Sequence, residues 1–311
     1  MRNPGWVDLQ VNGCGGVDFS DPCLTQSAFL RAAEQVLKSG TELFLPTLIT
    51  SKLAVYRRNL VLIQAAVERF GLGKNIPGVH LEGPFISPVP GAAGAHNPEW
   101  IIPPKPETVE QLLNCAPGFI KLVTLGADTD GAQEAIRLLR RHDVAVSIGH
   151  HMANAAQIAS AADAGAQALT HLGNGVPGML PRHANPIWAG LAEDRLIAMI
   201  ITDGHHLPAE VIRVICRTRS VEKIIVTSDA SPAAGFSPGP CHVLGNDAVL
   251  DPSGRLYNPK TGFLVGSAAM LADCMNVLES LELFSEKELL RVGRENALAL
   301  LRAWKEQPEK A

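Results

Sequence analysis

The chain has 311 residues, 46% hydrophobic and 19% charged, which is typical of a globular protein and not of a disordered or fibrous one. A net charge of −4 and an aromatic content of 5% argue against a nucleic-acid partner, which would need a basic surface and aromatic side chains for base stacking. No stretch approaches the length of a membrane span, and the six cysteines include no CxxC pair. We therefore expect a cytoplasmic protein with reduced thiols and no membrane contact.

Hydrophobic periodicity predicts strands and helices that alternate along the chain. The predicted strands span residues 6–11, 42–45, 77–81, 120–125, 144–148, 167–170, 196–202 and 223–227. The predicted helices span residues 25–39, 53–70, 107–115, 131–141, 154–164, 208–217, 267–281 and 285–304. This alternation indicates an α/β protein built as a (β/α)8 TIM barrel.

We expect residues 1–304 to form a single catalytic barrel domain and residues 305–311 to be a charged tail that frays. Pro46 is expected to end the second strand. Two long segments interrupt the regular pattern. One is a loop rich in proline and glycine at 85–106, and the other is an excursion at 232–262 with a hairpin turn near 251–254. Loops of this length in a compact domain are usually functional.

The strongest local signal is the stretch 144–174, which reads as strand, helix, strand with a histidine after each strand. A helical crossover makes the two strands parallel neighbours, so His150 and His171 are expected on the same rim of the barrel. Barrel enzymes place their chemistry at this carboxyl-end rim. Ionisable residues also follow the third, seventh and eighth strands, namely Glu82, His206 and Asp229. A rim of structural caps and salt bridges is the alternative explanation for these five residues.

These residue types indicate metal-assisted hydrolysis. One carboxylate and two imidazoles are a common three-ligand set for catalytic zinc, so we expect Glu82, His150 and His171 to bind a metal ion. A metal ion there would lower the pKa of a water molecule towards about 7, and Asp229 would act as the general base. His96 and His206 are further candidates for polarising a carbonyl and holding the substrate. Taken singly, the loop residue His96 could equally be solvated, one of His205 and His206 is expected to pack or support the site, and Asp203 is expected to brace a turn.

Several motifs together resemble the N-acetylglucosamine-6-phosphate deacetylases, a branch of the amidohydrolase superfamily. The resemblance covers residues 6–301 and rests on DLQVNG and GGVDF at 8–19, HLEGPF at 80–85, GAHN at 94–97, GH at 149–150, THLGN at 170–174, DGHH at 203–206, TSDA at 227–230 and GS at 266–267. It implies the metal-dependent amidohydrolase type of TIM barrel. The implied roles are metal binding by Glu82, His150 and His171, base catalysis by Asp229, polarisation of the acetyl carbonyl by His96, and contacts to the sugar phosphate from Asn174, the Gly175 backbone and His206.

Many amidohydrolases carry a His-x-His pair after the first strand that binds a second metal ion. Gln10 and Asn12 stand at those positions here, and amides are poor ligands for zinc. We therefore expect one divalent ion per chain, with Zn²⁺ as the first choice and Fe²⁺ as an alternative.

The resemblance is incomplete in three places. Family members usually carry a small β-sandwich built from sequence on both sides of the barrel, and we expect this chain to be the barrel without it. His151 replaces the small hydroxyl residue usual after the first metal histidine. The segment PRHANP at 181–186 replaces an Arg-Glu-Pro-Gly element whose arginine reaches the phosphate of the neighbouring subunit's substrate. Arg182 is the candidate for that role, and we accordingly expect a homodimer.

The resemblance implies a hydrolase that removes the acetyl group from N-acetylglucosamine 6-phosphate, a small-molecule amino-sugar substrate. One alternative is an amidohydrolase acting on an unphosphorylated or different N-acyl amino sugar. Another is a catalytically inactive sugar-binding relative. The intact set of Glu82, His150, His171 and Asp229 argues against this second alternative, because a pure binder has no need of a base.

Overall fold

The structure is a computed structural model that describes residues 5–302, and it is built around a sheet of eight parallel strands. The strands of the chain are β1 Trp6–Val11, β2 Gly13–Cys14, β3 Val17–Asp18, β4 Thr41–Ile49, β5 Val79–Glu82, β6 Ile120–Leu125, β7 Ala145–Ile148, β8 Ala168–Leu169, β9 Ile197–Ile200, β10 Ile224–Val226, β11 Gly239–Val243, β12 Asn246–Leu250 and β13 Leu256–Tyr257. The large sheet has the order β1-β4-β5-β6-β7-β8-β9-β10, which follows the chain. The expected (β/α)8 barrel is thereby confirmed.

Helices separate the barrel strands and cover the outside of the sheet. They are α1 Gln26–Lys38, α2 Leu53–Arg69, α3 Pro106–Cys115, α4 Ala132–Arg141, α5 Ala155–Ala164, α6 Pro186–Leu191, α7 Ala209–Thr218, α8 Leu271–Ser280, α9 Glu286–Leu290 and α10 Asn296–Arg302, with a π-helical segment Arg291–Glu295 joining the last two. The sequence did not predict α6, a helix of six residues. Residues 303–311, including the predicted tail, lie outside the described residues. Within the described range, no helix combines the length and apolar character needed to cross a membrane.

The crossover from β7 to β8 is short because α5 has strong signals at both ends. Asn154 and Gln157 form a reciprocal capping box, with hydrogen bonds of 3.0 and 2.9 Å between side chain and backbone. Gly165 ends the helix at a φ of 112°, a backbone conformation that favours glycine. The helix therefore returns the chain directly, and β7 and β8 pair in parallel with Ile148 beside Leu169.

The expected end of the second strand at Pro46 was wrong, because Pro46 lies inside β4 and pairs with Val11 of β1. Proline cannot donate a ladder hydrogen bond and is rare in central strands. The register between β1 and β4 is irregular between Asp8 and Val11, and the Val11 N–H donates to the Thr47 hydroxyl over 3.1 Å. The strand thus passes through the proline at a point where the backbone ladder is already interrupted.

The barrel is closed between β1 and β10 by a mixture of backbone and side-chain contacts. Val11 forms an isolated parallel bridge with Ala230 just beyond β10. The buried Asp8 carboxylate of β1 accepts hydrogen bonds from the hydroxyls of Thr227 and Ser228 over 2.7 and 2.5 Å. Asp8 therefore ties the first strand to the residues that lead into Asp229.

The barrel interior is layered along the strand direction. Its floor is apolar and consists of Val7, Leu9, Leu45, Leu122, Ala145, Ala168, Met199 and Ile225, closed from below by Ala297 and Leu300 of α10. Two residues further along several strands lies a polar layer, in which the His80 ring contacts the Thr124 hydroxyl over 2.8 Å. Burial lowers the pKa of His80 to about 4, so this ring is neutral. Two residues beyond His80, at the next level, β5 ends with Glu82.

The excursion after β10 forms a small three-stranded antiparallel sheet of β11, β12 and β13. The turn expected near 251–254 connects β12 to β13, as predicted. A second, tighter turn between β11 and β12 was not anticipated, and it consists of Leu244 and Gly245. The glycine-rich segment after β1 likewise folds as a hairpin of β2 and β3.

Candidate active site

Four of the five ionisable rim residues come from the end of β5 and from the residues just after β7, β8 and β10. Glu82 is the last residue of β5, whereas His150, His171 and Asp229 have φ values of 50, 31 and 53°. Non-glycine residues in this left-handed region carry a strain of about 1–2 kcal/mol each. Such strain concentrates at functional sites, where the surrounding structure holds the backbone in place. In this protein the left-handed backbone directs the side chains of His150, His171 and Asp229 into the mouth of the barrel.

Glu82, His150 and His171 converge on one buried point and form a group whose ligand atoms could hold a metal ion. Glu82 Oε1 lies 3.1 Å from His150 Nε2 and 3.0 Å from His171 Nε2, and the two nitrogens are 3.0 Å apart. Two ligand atoms on one tetrahedral zinc ion lie roughly 3.3 Å apart, given metal–ligand distances of about 2.0–2.1 Å. The spacing in this cluster therefore suits a single small divalent cation.

The hydrogen bonds of His150 favour the form of the ring that binds metal. Its Nδ1 lies 2.8 Å from the carbonyl oxygen of Ala92, an acceptor, so Nδ1 carries the proton and the Nε2 lone pair faces Glu82. The backbone carbonyl of His150 also accepts a hydrogen bond from the Ser87 N–H over 2.9 Å. The loop after β5 is thus fastened to His150 at two points, which orients the ring.

His96 lies beside the cluster with the opposite arrangement of its ring nitrogens. The Thr50 N–H donates to His96 Nδ1 over 3.3 Å, so the neutral ring carries its proton on Nε2. His96 Nε2 is 3.2 Å from His150 Nε2 and 3.9 Å from Glu82 Oε2. Burial, reinforced by the neighbouring His150, lowers the pKa of His96 to about 3. His96 therefore presents a neutral N–H donor next to Glu82 and His150.

Asp229 is held by the side-chain amides of Gln10 and Asn12. Gln10 Nε2 donates to Asp229 Oδ1 and to Glu82 Oε1, both over 2.8 Å. Asn12 Nδ2 donates to the same Asp229 oxygen over 2.7 Å. Burial, followed by the repulsion from Glu82, raises the pKa of Asp229 to about 6, and a bound cation would act in the opposite direction. The amides therefore act as hydrogen-bond donors that orient both carboxylates.

One cavity of about 170 Å³ connects these residues. Eight of the nine site residues predicted from sequence line it, namely Glu82, His96, His150, His171, Asn174, Gly175, His206 and Asp229. Arg182 is the exception. It is exposed on the loop between β8 and α6, where its carbonyl oxygen accepts a hydrogen bond from the Trp188 indole over 3.1 Å. Within this chain, the structure therefore does not bring Arg182 to the cavity.

Gly175 approaches His150 and His171 more closely than any other residue type could. Its φ is 63°, and a Cβ atom placed on it would lie 2.9 Å from His150 Nδ1 and 3.1 Å from His171 Cε1. The loop after β8 can reach over the site only because this position has no side chain. Its neighbour Asn174 has a buried side-chain nitrogen without a hydrogen-bond partner.

Sequence reasoning missed two features of the site. Asp203 does brace its turn, accepting the N–H groups of His205 and His206 over 2.9 Å each, but it also pairs with the His206 ring. The cavity also has an apolar side that the sequence did not reveal, to which Leu244 and Phe263 contribute. The i, i+3 spacing of Asp203 and His206 could have suggested the ion pair, whereas the apolar side depends on how the small sheet packs.

No family model matches the chain. Several curated proteins do match it in sequence. N-acetylglucosamine-6-phosphate deacetylase of Bos taurus is 36% identical over 284 residues, which cover 88% of this chain and 67% of the relative. The enzyme of the same name from Bacillus subtilis is 30% identical over 297 residues, covering 94% and 74%. N-acetylgalactosamine-6-phosphate deacetylase of Escherichia coli is 31% identical over 264 residues, covering 85% and 68%.

Solved structures give the same result. N-acetyl-D-glucosamine-6-phosphate deacetylase from Mycobacterium smegmatis superposes with a TM-score of 0.87 at 27% identity, covering 96% of this chain and 78% of that one. The Pasteurella multocida enzyme gives a TM-score of 0.86 at 28% identity, covering 97% and 77%. An aspartate-to-alanine mutant of the Mycobacterium smegmatis enzyme, in complex with N-acetyl-D-glucosamine-6-phosphate, gives 0.84 at 28% identity, covering 93% and 74%.

Proposed function

The chain belongs to the N-acetylglucosamine-6-phosphate deacetylase family, and we propose that it hydrolyses N-acetylglucosamine 6-phosphate to glucosamine 6-phosphate and acetate. The observation that carries this proposal is the convergence of Glu82, His150 and His171 on one point, with Asp229 in the same cavity. This arrangement joins a metal-ligand set to a base. It supports an enzyme that hydrolyses an amide bond.

Glu82, His150 and His171 would hold one divalent ion, and we propose Zn²⁺ because one carboxylate and two imidazoles are a typical catalytic zinc set. When bound, the ion supplies Lewis acidity, which makes hydroxide available at neutral pH and polarises the amide carbonyl. The Nδ1–H of His150 is engaged by Ala92, so this ring offers only its Nε2 lone pair. A site with these ligands also accepts Fe²⁺, which remains the alternative metal.

The protein's own residues would carry the proton transfers and hold the carbonyl. His96 donates its Nε2–H to the acetyl carbonyl oxygen, where negative charge develops during attack. Asp229 accepts a proton from the attacking water and delivers it to the sugar nitrogen as the C–N bond breaks, so that the products are acetate and the amine. Gln10 and Asn12 hold the base in place through their hydrogen bonds to Asp229 Oδ1.

Recognition of the sugar phosphate is assigned to further residues of the cavity. Asn174, Gly175 and His206 line the cavity, and the Asn174 amide, the Gly175 backbone N–H and the His206 ring supply hydrogen-bond donors for an anion. Arg182 would complete the phosphate site of a second subunit, as an exposed loop residue can do in a homodimer. The six cysteines all lie in the described residues and are free, which fits the reducing cytoplasm.

The choice of amino sugar is the open part of the proposal. One relative is named for N-acetylgalactosamine 6-phosphate, whose sugar differs from glucosamine only in the configuration of one hydroxyl. An unphosphorylated N-acetyl sugar is the other alternative. A relative without turnover is disfavoured, because the base and its two amide donors are all present.

A substrate panel tests the proposal. The purified, metal-loaded protein is assayed for acetate release from N-acetylglucosamine 6-phosphate, N-acetylgalactosamine 6-phosphate and N-acetylglucosamine. We expect the highest kcat/KM for the first. A higher kcat/KM for one of the other two compounds would make that compound the preferred substrate in place of the proposed one. If none of the three compounds released acetate, the deacetylase function would be rejected.

A further inference from the structure

The small sheet of β11, β12 and β13 supplies the apolar side of the active-site cavity. Leu244, Phe263 and Leu264 line the cavity from this sheet and the residues after it, and Ile49 lines it from the end of β4. Phosphate, hydroxyl and amide groups of an N-acyl sugar phosphate need polar partners. The acyl methyl is the part of such a substrate that gains most from an apolar contact.

Leu244 occupies an unusual backbone position. It forms the two-residue turn between β11 and β12 with Gly245, and the two φ values are 51 and 73°. Turns of this kind favour Asn or Asp followed by glycine, because leucine in the left-handed region is strained. The half-buried leucine side chain nevertheless lines the cavity. A strained residue that reaches a functional cavity is a candidate for a functional role.

The turn is tied to the loop that carries His96. Asn246, which closes the turn, donates its side-chain N–H to the carbonyl oxygen of Ala95 over 3.0 Å. The Thr50 N–H donates to the His96 ring over 3.3 Å, and Thr50 directly follows Ile49. The turn that carries Leu244 is therefore hydrogen-bonded to Ala95, and the end of β4 that carries Ile49 is hydrogen-bonded through Thr50 to His96. Leu244, Ile49 and His96 all line the same cavity.

We propose that Leu244 sets the size of the acyl group that the site accepts, with Ile49 as the opposite wall of the acyl pocket. The inference rests on the proposed function, in which His96 holds the carbonyl oxygen. The methyl group is one bond from the carbonyl carbon, so it must lie close to His96. Replacing leucine by a smaller side chain leaves room for a longer acyl chain, whereas the metal ligands and the base stay in place.

The test compares N-acetyl-, N-propionyl- and N-butyryl-glucosamine 6-phosphate as substrates of wild type, Leu244→Ala and Leu244→Gly. We expect the ratio of kcat/KM for propionyl over acetyl to rise about tenfold or more in both variants, the effect of about one methylene in a pocket. Glycine accepts the turn conformation without strain, so the second variant keeps the hairpin if alanine does not.

Phe263→Ala is the matched control. Phe263 lines the same cavity from the segment after β13 and not from the turn whose Asn246 binds the Ala95 carbonyl, so its variant should change kcat/KM for all three substrates by a similar factor. A propionyl-to-acetyl ratio that stays within about twofold of wild type in folded, metal-loaded Leu244 variants overturns the proposal. A wild type that releases no acyl group from any substrate rejects the deacetylase function instead, so the two failures are distinct.

Discussion

His206 Nδ1 lies 2.7 Å from the Asp203 carboxylate, and the two side chains are only 5% and 2% exposed. Burial alone would lower the pKa of His206, but the hydrogen bond and charge of Asp203 outweigh it and raise this pKa. Burial alone would raise the pKa of Asp203, but the bond from His206 lowers it. The pair therefore favours an imidazolium at the cavity, where an anionic substrate group would meet it. Asp229 also faces this ring and favours the same charged form.

Asp203→Asn should weaken binding of the 6-phosphorylated sugar, most strongly at high pH. The variant removes the charge that raises the His206 pKa, so the imidazolium loses its proton at lower pH than in wild type. The alkaline limb of log kcat/KM against pH should shift to lower pH, and KM should change more than kcat. The measurement is a pH profile with the phosphorylated substrate.

Ser267→Ala is the control for Asp203→Asn. The Ser267 hydroxyl donates to the same Asp203 oxygen over 2.9 Å, so its loss removes a hydrogen bond but keeps the carboxylate. The pH profile of Ser267→Ala should stay close to that of wild type. Identical shifts in both variants would show that the charge of Asp203 does not control His206.

The purified protein should bind one divalent ion per chain, since one carboxylate and two imidazoles complete a single site. Elemental analysis should give about one equivalent in wild type and clearly less in His150→Ala and His171→Ala. Thr129→Ala, a change outside the cavity, serves as the control and should retain the ion. Unchanged metal content in both histidine variants would place the ion elsewhere.

Gln10→His combined with Asn12→His should raise the metal content from one ion per chain towards two. The imidazoles would replace the side-chain amides of Gln10 and Asn12, which both donate to Asp229. The Gln10 amide also donates to Glu82. Imidazole is a zinc ligand, whereas an amide is a poor one. The double alanine variant at the same positions removes the amides without adding ligands, and it should stay near one equivalent. The same stoichiometry in both double variants would contradict the prediction.

Asp229→Asn should retain metal and substrate binding but lose about 10²–10⁴-fold in kcat, the usual contribution of a general acid–base group. The amide keeps the shape of the carboxylate and cannot accept the proton. Metal content and the Kd of the substrate, measured on the same sample, separate this effect from misfolding. Turnover near the wild-type rate would require a different base.

Arg182→Ala should raise KM for the 6-phosphorylated sugar by about 10- to 150-fold and leave the unphosphorylated sugar nearly unaffected. This range corresponds to the loss of a charge-assisted hydrogen bond worth roughly 1.5–3 kcal/mol. Because Arg182 does not line the cavity of its own chain, the effect requires a partner subunit, which sedimentation should detect as a dimer. Arg141→Ala is the control, since this exposed arginine ends α4 just before β7 begins, at the opposite end of the barrel. Equal effects on both sugars would remove Arg182 from phosphate recognition.

The barrel and most of its site follow from local patterns in the sequence. Apolar runs and helix caps mark the strands and helices, and parallel strands bring all their carboxyl ends to one rim. A histidine placed just after each of β7 and β8, as His150 and His171 are, therefore has to lie near its counterpart. The wrong prediction for the end of the second strand also came from a local pattern, because a proline such as Pro46 usually ends a strand.

Only the tertiary structure decided how the site is supported. Gln10 contacts Glu82 and Asp229, which are 72 and 219 positions away in the chain, and no local pattern encodes such contacts. Whether an amide binds metal or orients carboxylates depends on what the closed barrel brings opposite to it. The same holds for Leu244, whose turn was not predicted from the sequence and whose position at the cavity depends on the bond from Asn246 to the His96 loop. Strand ends are set by neighbouring residues, whereas cross-barrel contacts are set by packing of the whole chain.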